Sequence, residues 1–202
     1  MTEHILVEQG SPEWLAARLG KVTASRFSDV LAKGSGKTRK AYMYELAAER
    51  LTGLPTQSYK SADMEWGSQC EEAARKEYEL WTSNKADRVG LFVLNNNIGA
   101  SPDSVVGEDG LLEIKCPKTT TQIDRFLNKE FPSEYMAQVQ GQLWVTGRSW
   151  CDFVSYDPRI NTEARYFCIR VLRDEVYIKN LEVEVSKFVA DLELLMKSLG
   201  AK

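Results

Sequence analysis

Apolar positions along the chain change period several times, and those changes outline its elements. Ser11-Pro12-Glu13 opens a short helix, with serine as the cap and proline at the first position, and Gly20 closes it. A second helix is predicted to begin around Thr23 to Ser25, and a third over 38–52 is stopped by Gly53 and Pro55. A longer helix follows over 62–81. The spacing then becomes that of strands in "RVGLFVL" (88–94), "IGASPD" (98–103) and "LLEIKC" (111–116), separated by turns at Asn95-Asn96-Asn97 and Glu108-Asp109-Gly110. Helices return over 121–129 and 132–146, the second lying between Pro132 and Gly147. Strands at 150–156 and 164–172 lead into a C-terminal helix. Its Tyr177, Leu181, Val185, Phe188, Leu192 and Leu195 fall on one face, a stripe for core or subunit packing. With no internal repeat and no linker, the pattern predicts a single α/β domain over 1–202, built on a central mixed β-sheet flanked by helices.

One strand breaks the pattern. In the otherwise apolar run from Leu111 to Cys116, alternation sends Leu112, Ile114 and Cys116 to one face and Glu113 and Lys115 to the other. If helices cover the sheet, that acid and lysine lie on an inner or cleft-facing side, where charge is costly unless paired or bound to a metal. Asp103, after Pro102 at the end of the preceding strand, can reach the same spot. Two carboxylates converging beside a lysine suit a hard cation such as magnesium, which takes oxygen ligands and completes its shell with waters and substrate phosphates. The lysine can then orient or deprotonate water, or offset charge on a phosphoryl transition state. The plain alternative is an edge strand with a solvated Glu–Lys face.

Three further stretches hold candidate chemistry. In "MEWGSQCEEAARKEYELW" a helical wheel puts Glu72, Arg75, Lys76 and Glu79 on the wet face, and Trp66, Cys70, Ala73, Ala74 and Trp81 inward. Glu71 falls at the boundary and Glu77 in the apolar sector, so periodicity leaves both open as a third acid. Tyr135, Gln138 and Gln142 form one polar stripe on a helix whose other face carries Met136, Val139 and Leu143; uncharged donors of this kind suit contacts beside a metal site. Arg18 precedes the predicted helix start at Thr23 and Ser25, where amides, hydroxyls and a guanidinium can hold a terminal phosphate, or simply cap the helix. "GSGKT" is not a Walker A loop, because its first glycine would fall at Leu31; the stretch 33–40 reads as a basic loop near substrate.

Charge and composition narrow the chemistry further. The net charge is −3, yet residues 14–60 carry nine Lys or Arg against three acids, and the remainder carries 17 against 26. A basic region beside a carboxylate-rich one suits a polyanion drawn to one face. The single histidine, His4, lies in an expected fraying end, which removes most histidine-based catalysis and leaves carboxylates, lysine and tyrosine. Cys70, Cys116, Cys151 and Cys168 have neither disulfide-framework nor zinc spacing and read as reduced thiols. No apolar run approaches a membrane span and the N-terminus lacks an export signal, so a cytoplasmic location is expected.

Taken in order, "W…RLGKVTAS" (14–25), "WGSQCE" (66–71), "SPD" (101–103), "LEIKCP" (112–117), "YMAQVQGQLWVTG" (135–147) and "SYDPR" (155–159) make the chain resemble the phage lambda exonuclease and YqaJ-type viral recombinase nucleases, which share the P-D…E-x-K pattern. The resemblance implies a restriction-endonuclease-like core and magnesium, or manganese in its place. It implies 5′-to-3′ digestion of double-stranded DNA from a free, 5′-phosphorylated end, processive release of mononucleotides, and a 3′ overhang. It further implies a homotrimeric ring, a phage single-strand annealing protein as partner, and a phage- or prophage-encoded origin in a bacterial host. Residue by residue, Asp103, Glu113, the Ile114 carbonyl and Glu71 become metal ligands and Lys115 the catalytic lysine. Gln138 and Tyr135 line the site, Arg18, Ser25 and Ser101 hold the 5′-phosphate, and Met64 is a candidate apolar wedge between terminal bases. The enzyme alternative is an end-independent endonuclease on the same core; the alternative from another class is a non-catalytic DNA-binding recombination module.

Overall fold

The computed structural model describes residues 1–33, 36–56 and 62–201, and side chains within the fourth helix from residue 65 onward. The described elements are β1 (Thr2–Ile5), α1 (Pro12–Arg18), β2 (Val22–Thr23), α2 (Phe27–Leu31), α3 (Lys37–Thr52), α4 (Ala62–Thr82), β3 (Ala86–Asp87), β4 (Leu91–Leu94), β5 (Ile98–Ala100), β6 (Ser104–Val106), β7 (Gly110–Lys115), α5 (Thr119–Asn128), α6 (Met136–Thr146), β8 (Trp150–Tyr156), β9 (Tyr166–Leu172) and α7 (Glu175–Ser198). They build an α/β fold around a five-stranded mixed sheet ordered β3-β6-β7-β8-β9, in which only β7 and β8 run parallel. A second sheet, β1-β4-β5-β2, was not expected from the sequence. Its β1 corrects the reading of a fraying end: Thr2–Ile5 pairs with β4, and His4 stacks on Phe92 with ring centroids 4.2 Å apart.

Helices cover both faces of the larger sheet. On one face Ala74 and Tyr78 of α4 pack on Leu112, Ile114, Val154 and Tyr156. On the other, Val139 and Leu143 of α6 and Ile178 of α7 pack on Leu111, Cys151 and Phe153. Leu112 and Ile114 therefore meet α4 while Leu111 and Glu113 meet α6, as strand alternation requires. Helix α6 comes close to the turn before α2 because Gly141 has no side chain; a Cβ there would lie 2.4 Å from the Phe27 ring. Gly147 ends α6 with φ +74°, a left-handed conformation that glycine adopts without strain. In α7 the buried face is Ile178, Leu181, Val185, Phe188, Leu192 and Met196, matching the expected stripe at four positions and shifted by one residue at each end.

Two helix readings change. The chain does not enter a helix at Thr23: Val22 and Thr23 pair in parallel with β5, a single helical turn follows over Ala24–Arg26, and α2 begins only at Phe27. Helix α3 starts at Lys37, so part of the expected basic loop is helical; residues 34 and 35 of that loop, and the Met64 side chain, lie outside the described residues.

Candidate active site

Strand β7 outlasts its neighbour. Antiparallel pairing with β6 runs from Gly110 to Leu112 and stops at Ser104, so Glu113, Ile114 and Lys115 continue with β8 alone. The free edge is taken by Asp103, whose Oδ2 accepts the Ile114 N–H at 2.6 Å. A strand residue's N–H and C=O point to the same edge, which places the Ile114 carbonyl on the Asp103 side as well. The segment before Asp103 is held at several points. Trp14 Nε1 donates to Ser101 Oγ at 3.0 Å, Gln9 Nε2 to the Pro102 carbonyl at 2.8 Å, and Arg75 Nη2 to the Asp103 carbonyl at 3.3 Å.

Glu113 is 1% exposed, an unusual place for a carboxylate. It is held by donors: Oε1 accepts from Lys115 Nζ at 2.5 Å and Gln138 Nε2 at 2.6 Å, and Oε2 from Gln142 Nε2 at 2.6 Å. Gln138 and Gln142 stand one turn apart on α6, so the polar stripe faces the sheet and not solvent. Tyr135, at the start of α6, turns its ring toward Lys115, with Nζ 5.1 Å from the centroid. Behind that ring the buried Arg125 donates to the Tyr135 hydroxyl at 3.2 Å and to Ser155 Oγ at 3.1 Å.

Charge is unevenly compensated here. Burial, followed by the negative charges of Glu113 and Glu71, pushes the Asp103 carboxyl well above the usual carboxylate range, against the pull of Lys115 and the Ile114 N–H. Burial would lower the Lys115 ammonium, but Glu113 and Asp103 outweigh it and hold that group above the ordinary lysine range. Glu71 turns to Arg75, whose Nη2 lies 2.5 Å from its Oε1. Arg75 is 4% exposed and also reaches Ser104 Oγ at 2.8 Å, so it is not part of the wet face that the helical wheel assigned to it. Ala73 and Trp81, expected to face inward, are exposed. Glu77, the other candidate acid, pairs instead with Arg165 at 2.6 Å. Burial pushes the Cys116 thiol, just past β7, up to about 12.

Among the described residues no three acidic, cysteine or histidine side chains form a group able to hold a metal on their own. The donors present still fit magnesium, which typically takes only one or two protein carboxylates and fills its shell with water and phosphate oxygens. Asp103, Glu113 and the Ile114 carbonyl are hard oxygen donors on one edge, and the crowding that raises Asp103 is what a bound cation relieves.

Two depressions meet here. A groove of about 950 Å³ is lined by Trp14, Arg18, Thr23, Glu71 and Asp103 among others. A cleft of about 380 Å³ is lined by Gly67, Glu71, Lys115, Pro117 and Tyr135 among others, and the two share Ser68 and Glu71. Of the expected phosphate-holding residues Arg18 lines the larger groove; Ser101 reaches it through Trp14 and Ser25 through Thr23. Arg18 stacks on the Trp14 ring at 4.1 Å and donates to Thr23 Oγ1 at 3.5 Å, and the Thr23 and Ser25 hydroxyls lie 3.3 Å apart. The Thr23 N–H, expected in the cradle of helix amides, donates instead to the Tyr42 hydroxyl at 3.1 Å. Gln142 and Tyr135 were legible from their stripe, and Trp14 from its motif. Gln9, Arg75 and Arg125 carried no signal, since each acts through contacts distant in sequence or set by tertiary burial.

Residues 13–149 match a family model described as a YqaJ-like viral recombinase domain. Among solved structures, an alkaline exonuclease (LHK-Exo) from Laribacter hongkongensis is similar with 45% identity and a TM-score of 0.88, over 94% of this chain and 96% of that one. The same exonuclease in complex with dAMP is similar with a TM-score of 0.87 and the same identity and coverage. The uncharacterized protein YqaJ of Bacillus subtilis (strain 168) is 28% identical over 144 residues, which are 69% of this chain and 44% of that protein.

Proposed function

The chain belongs to the family of YqaJ-like viral recombinase domains, and we propose that it is a magnesium-dependent exonuclease that digests one strand of double-stranded DNA from a free 5′ end. The observation that carries this reading is that Asp103 meets Glu113 and Lys115 at the end of β7 that β6 leaves free, beside two adjoining depressions. The similar LHK-Exo is an alkaline exonuclease and takes dAMP, a mononucleotide of the kind such a reaction releases.

Asp103, Glu113 and the Ile114 carbonyl would hold the cation, with Glu71 nearby and manganese as a substitute. When bound, it supplies Lewis acidity toward the scissile phosphate and water of lowered pKa. Gln138 and Gln142 keep Glu113 oriented. Protonated Lys115 offers an ammonium to a phosphate oxygen; once the negative charge of its acidic neighbours is offset its pKa falls, and the amine left by deprotonation can take the proton that the attacking water loses. Tyr135 walls the site beside it. Arg18, Ser25 and Ser101 hold the terminal 5′-phosphate, so the next phosphate lies over the acidic pair. A water oxygen bonds to that phosphorus, the bond from phosphorus to the terminal nucleotide's O3′ breaks, and O3′ takes a proton. A 5′-mononucleotide leaves, and the strand keeps a 5′-phosphate for the next round, the chemistry that processive digestion to a 3′ overhang needs. The wider proposal includes a homotrimeric ring, a single-strand annealing protein as partner, and action in the bacterial cytoplasm on phage or prophage DNA.

The test compares linear with covalently closed circular duplex of one sequence in magnesium. Loss of the linear form with the circle intact is expected. Cutting of the circle would instead indicate an end-independent endonuclease, and no cutting of either a binding module.

A further inference from the structure

Gly67 lies inside α4, with nothing within 4 Å of where a Cβ would project. Glycine is among the worst residues for a helix interior, and here neither close packing nor a left-handed backbone asks for it. What it does is leave room over the floor of the smaller cleft, whose walls include Glu71, Lys115, Pro117 and Tyr135.

A cation is tied to that cleft's lining through Pro117. Arg159 donates from Nη2 to the Pro117 carbonyl at 3.2 Å, two residues beyond Lys115, and its guanidinium lies 4.4 Å from the ring of Trp66, the residue before Gly67. It is fixed in place by Asp157, which is fully buried: Nε meets Oδ1 at 2.7 Å and Nη2 meets Oδ2 at 2.9 Å. The Arg159 side chain remains 47% exposed, and among the described residues no hydrogen bond uses its Nη1. A planar donor held in one orientation with one end free matches a phosphodiester oxygen.

We propose that the smaller cleft binds the sugar–phosphate backbone of the strand being digested, on the 3′ side of the scissile phosphate, with Gly67 admitting the backbone and Arg159 contacting a phosphate. The inference rests on the nuclease reading above. It follows from the order of the two depressions: with the terminal phosphate at Arg18 in the larger groove and the scissile phosphate at Asp103 and Glu113, the continuing strand leaves past Lys115 and Tyr135.

Two variants test it, in the full chain. Binding of a 5′-phosphorylated linear duplex, followed by fluorescence anisotropy without divalent cation so that nothing is cut, should weaken in R159Q. Its plot of log K against log salt should be shallower by about 0.9, one phosphate contact. A purely structural role would leave that slope unchanged. In G67A the melting midpoint should rise by roughly 2–4 °C, because alanine is the better helix former. Its KM for duplex in magnesium should nonetheless rise about tenfold with kcat within about twofold, since a methyl group would stand where the backbone passes. An unchanged salt slope in R159Q, or an unchanged KM in G67A, overturns the proposal. A wild-type protein that binds duplex but leaves it undigested would overturn the nuclease reading instead, and the binding arm would still judge the cleft.

Discussion

Asp103 places its carboxyl where burial and two other acids disfavour charge, although its Oδ2 accepts the Ile114 N–H. Such partly offset repulsion lowers stability in the absence of a cation and is relieved when one binds. Magnesium should therefore raise the melting midpoint of the wild-type chain, by mass action on the folded state. Asp103→Asn keeps an oxygen for the Ile114 N–H while removing the charge. Its metal-free midpoint should exceed that of the wild type by about 2–4 °C for each kcal/mol of repulsion removed, its response to magnesium should vanish, and so should nuclease activity. A lower metal-free midpoint in Asp103→Asn would mean that the carboxylate serves the fold. The acid–lysine alternation of β7 was legible in the sequence because strand period alone places Glu113 and Lys115 together. The choice of Glu71 over Glu77 was not legible from period, since it depends on Arg75 and Arg165 drawing the two acids to different places.

Among the elements, α6 does the most for the site, since it carries both glutamines that hold Glu113 and packs on β7 and β8 through Val139 and Leu143. Its seat depends on Gly141, against which Phe27 lies fully buried. Gly141→Ala should destabilise the protein by about 1–3 kcal/mol through overpacking, despite alanine's better helix propensity. A thermal melt checks this, and a midpoint equal to or above that of the wild type would show that the ring yields freely. The long elements were readable in advance because their periodicity runs over many residues. Strands β1, β2, β3 and β6 were not, because segments of two to four residues hold no measurable period and owe their form to partners far along the chain. Arg75 shows the same limit within a well-read helix: charge placed it in water, while Glu71, Ser104 and the Asp103 carbonyl hold it inside.

At the scale of the whole molecule, a groove lined by Arg18 and Asp103 adjoins a cleft lined by Ile114 and Lys115, the two sharing Ser68 and Glu71. No helix among the described residues is long and apolar enough to cross a membrane. Arg18, Lys21 and Arg26 of the basic first third line this groove together with Glu8, Glu45, Glu49, Glu71 and Asp103, so its charge is mixed, and Arg26 is paired with Asp29 and Glu45. The central claim is that Asp103, Glu113 and Lys115 hydrolyse one strand from its 5′ end with magnesium. It is tested most directly on a 5′-phosphorylated linear duplex labelled at either the 5′ or the 3′ end of the same strand, digested by the wild-type chain and by Glu113→Ala. The account predicts that the 5′ label leaves as a mononucleotide from the earliest times while the 3′-labelled strand shortens gradually, and that Glu113→Ala releases neither label. Early loss of the 3′ label, internal fragments, or undiminished digestion by Glu113→Ala would contradict it.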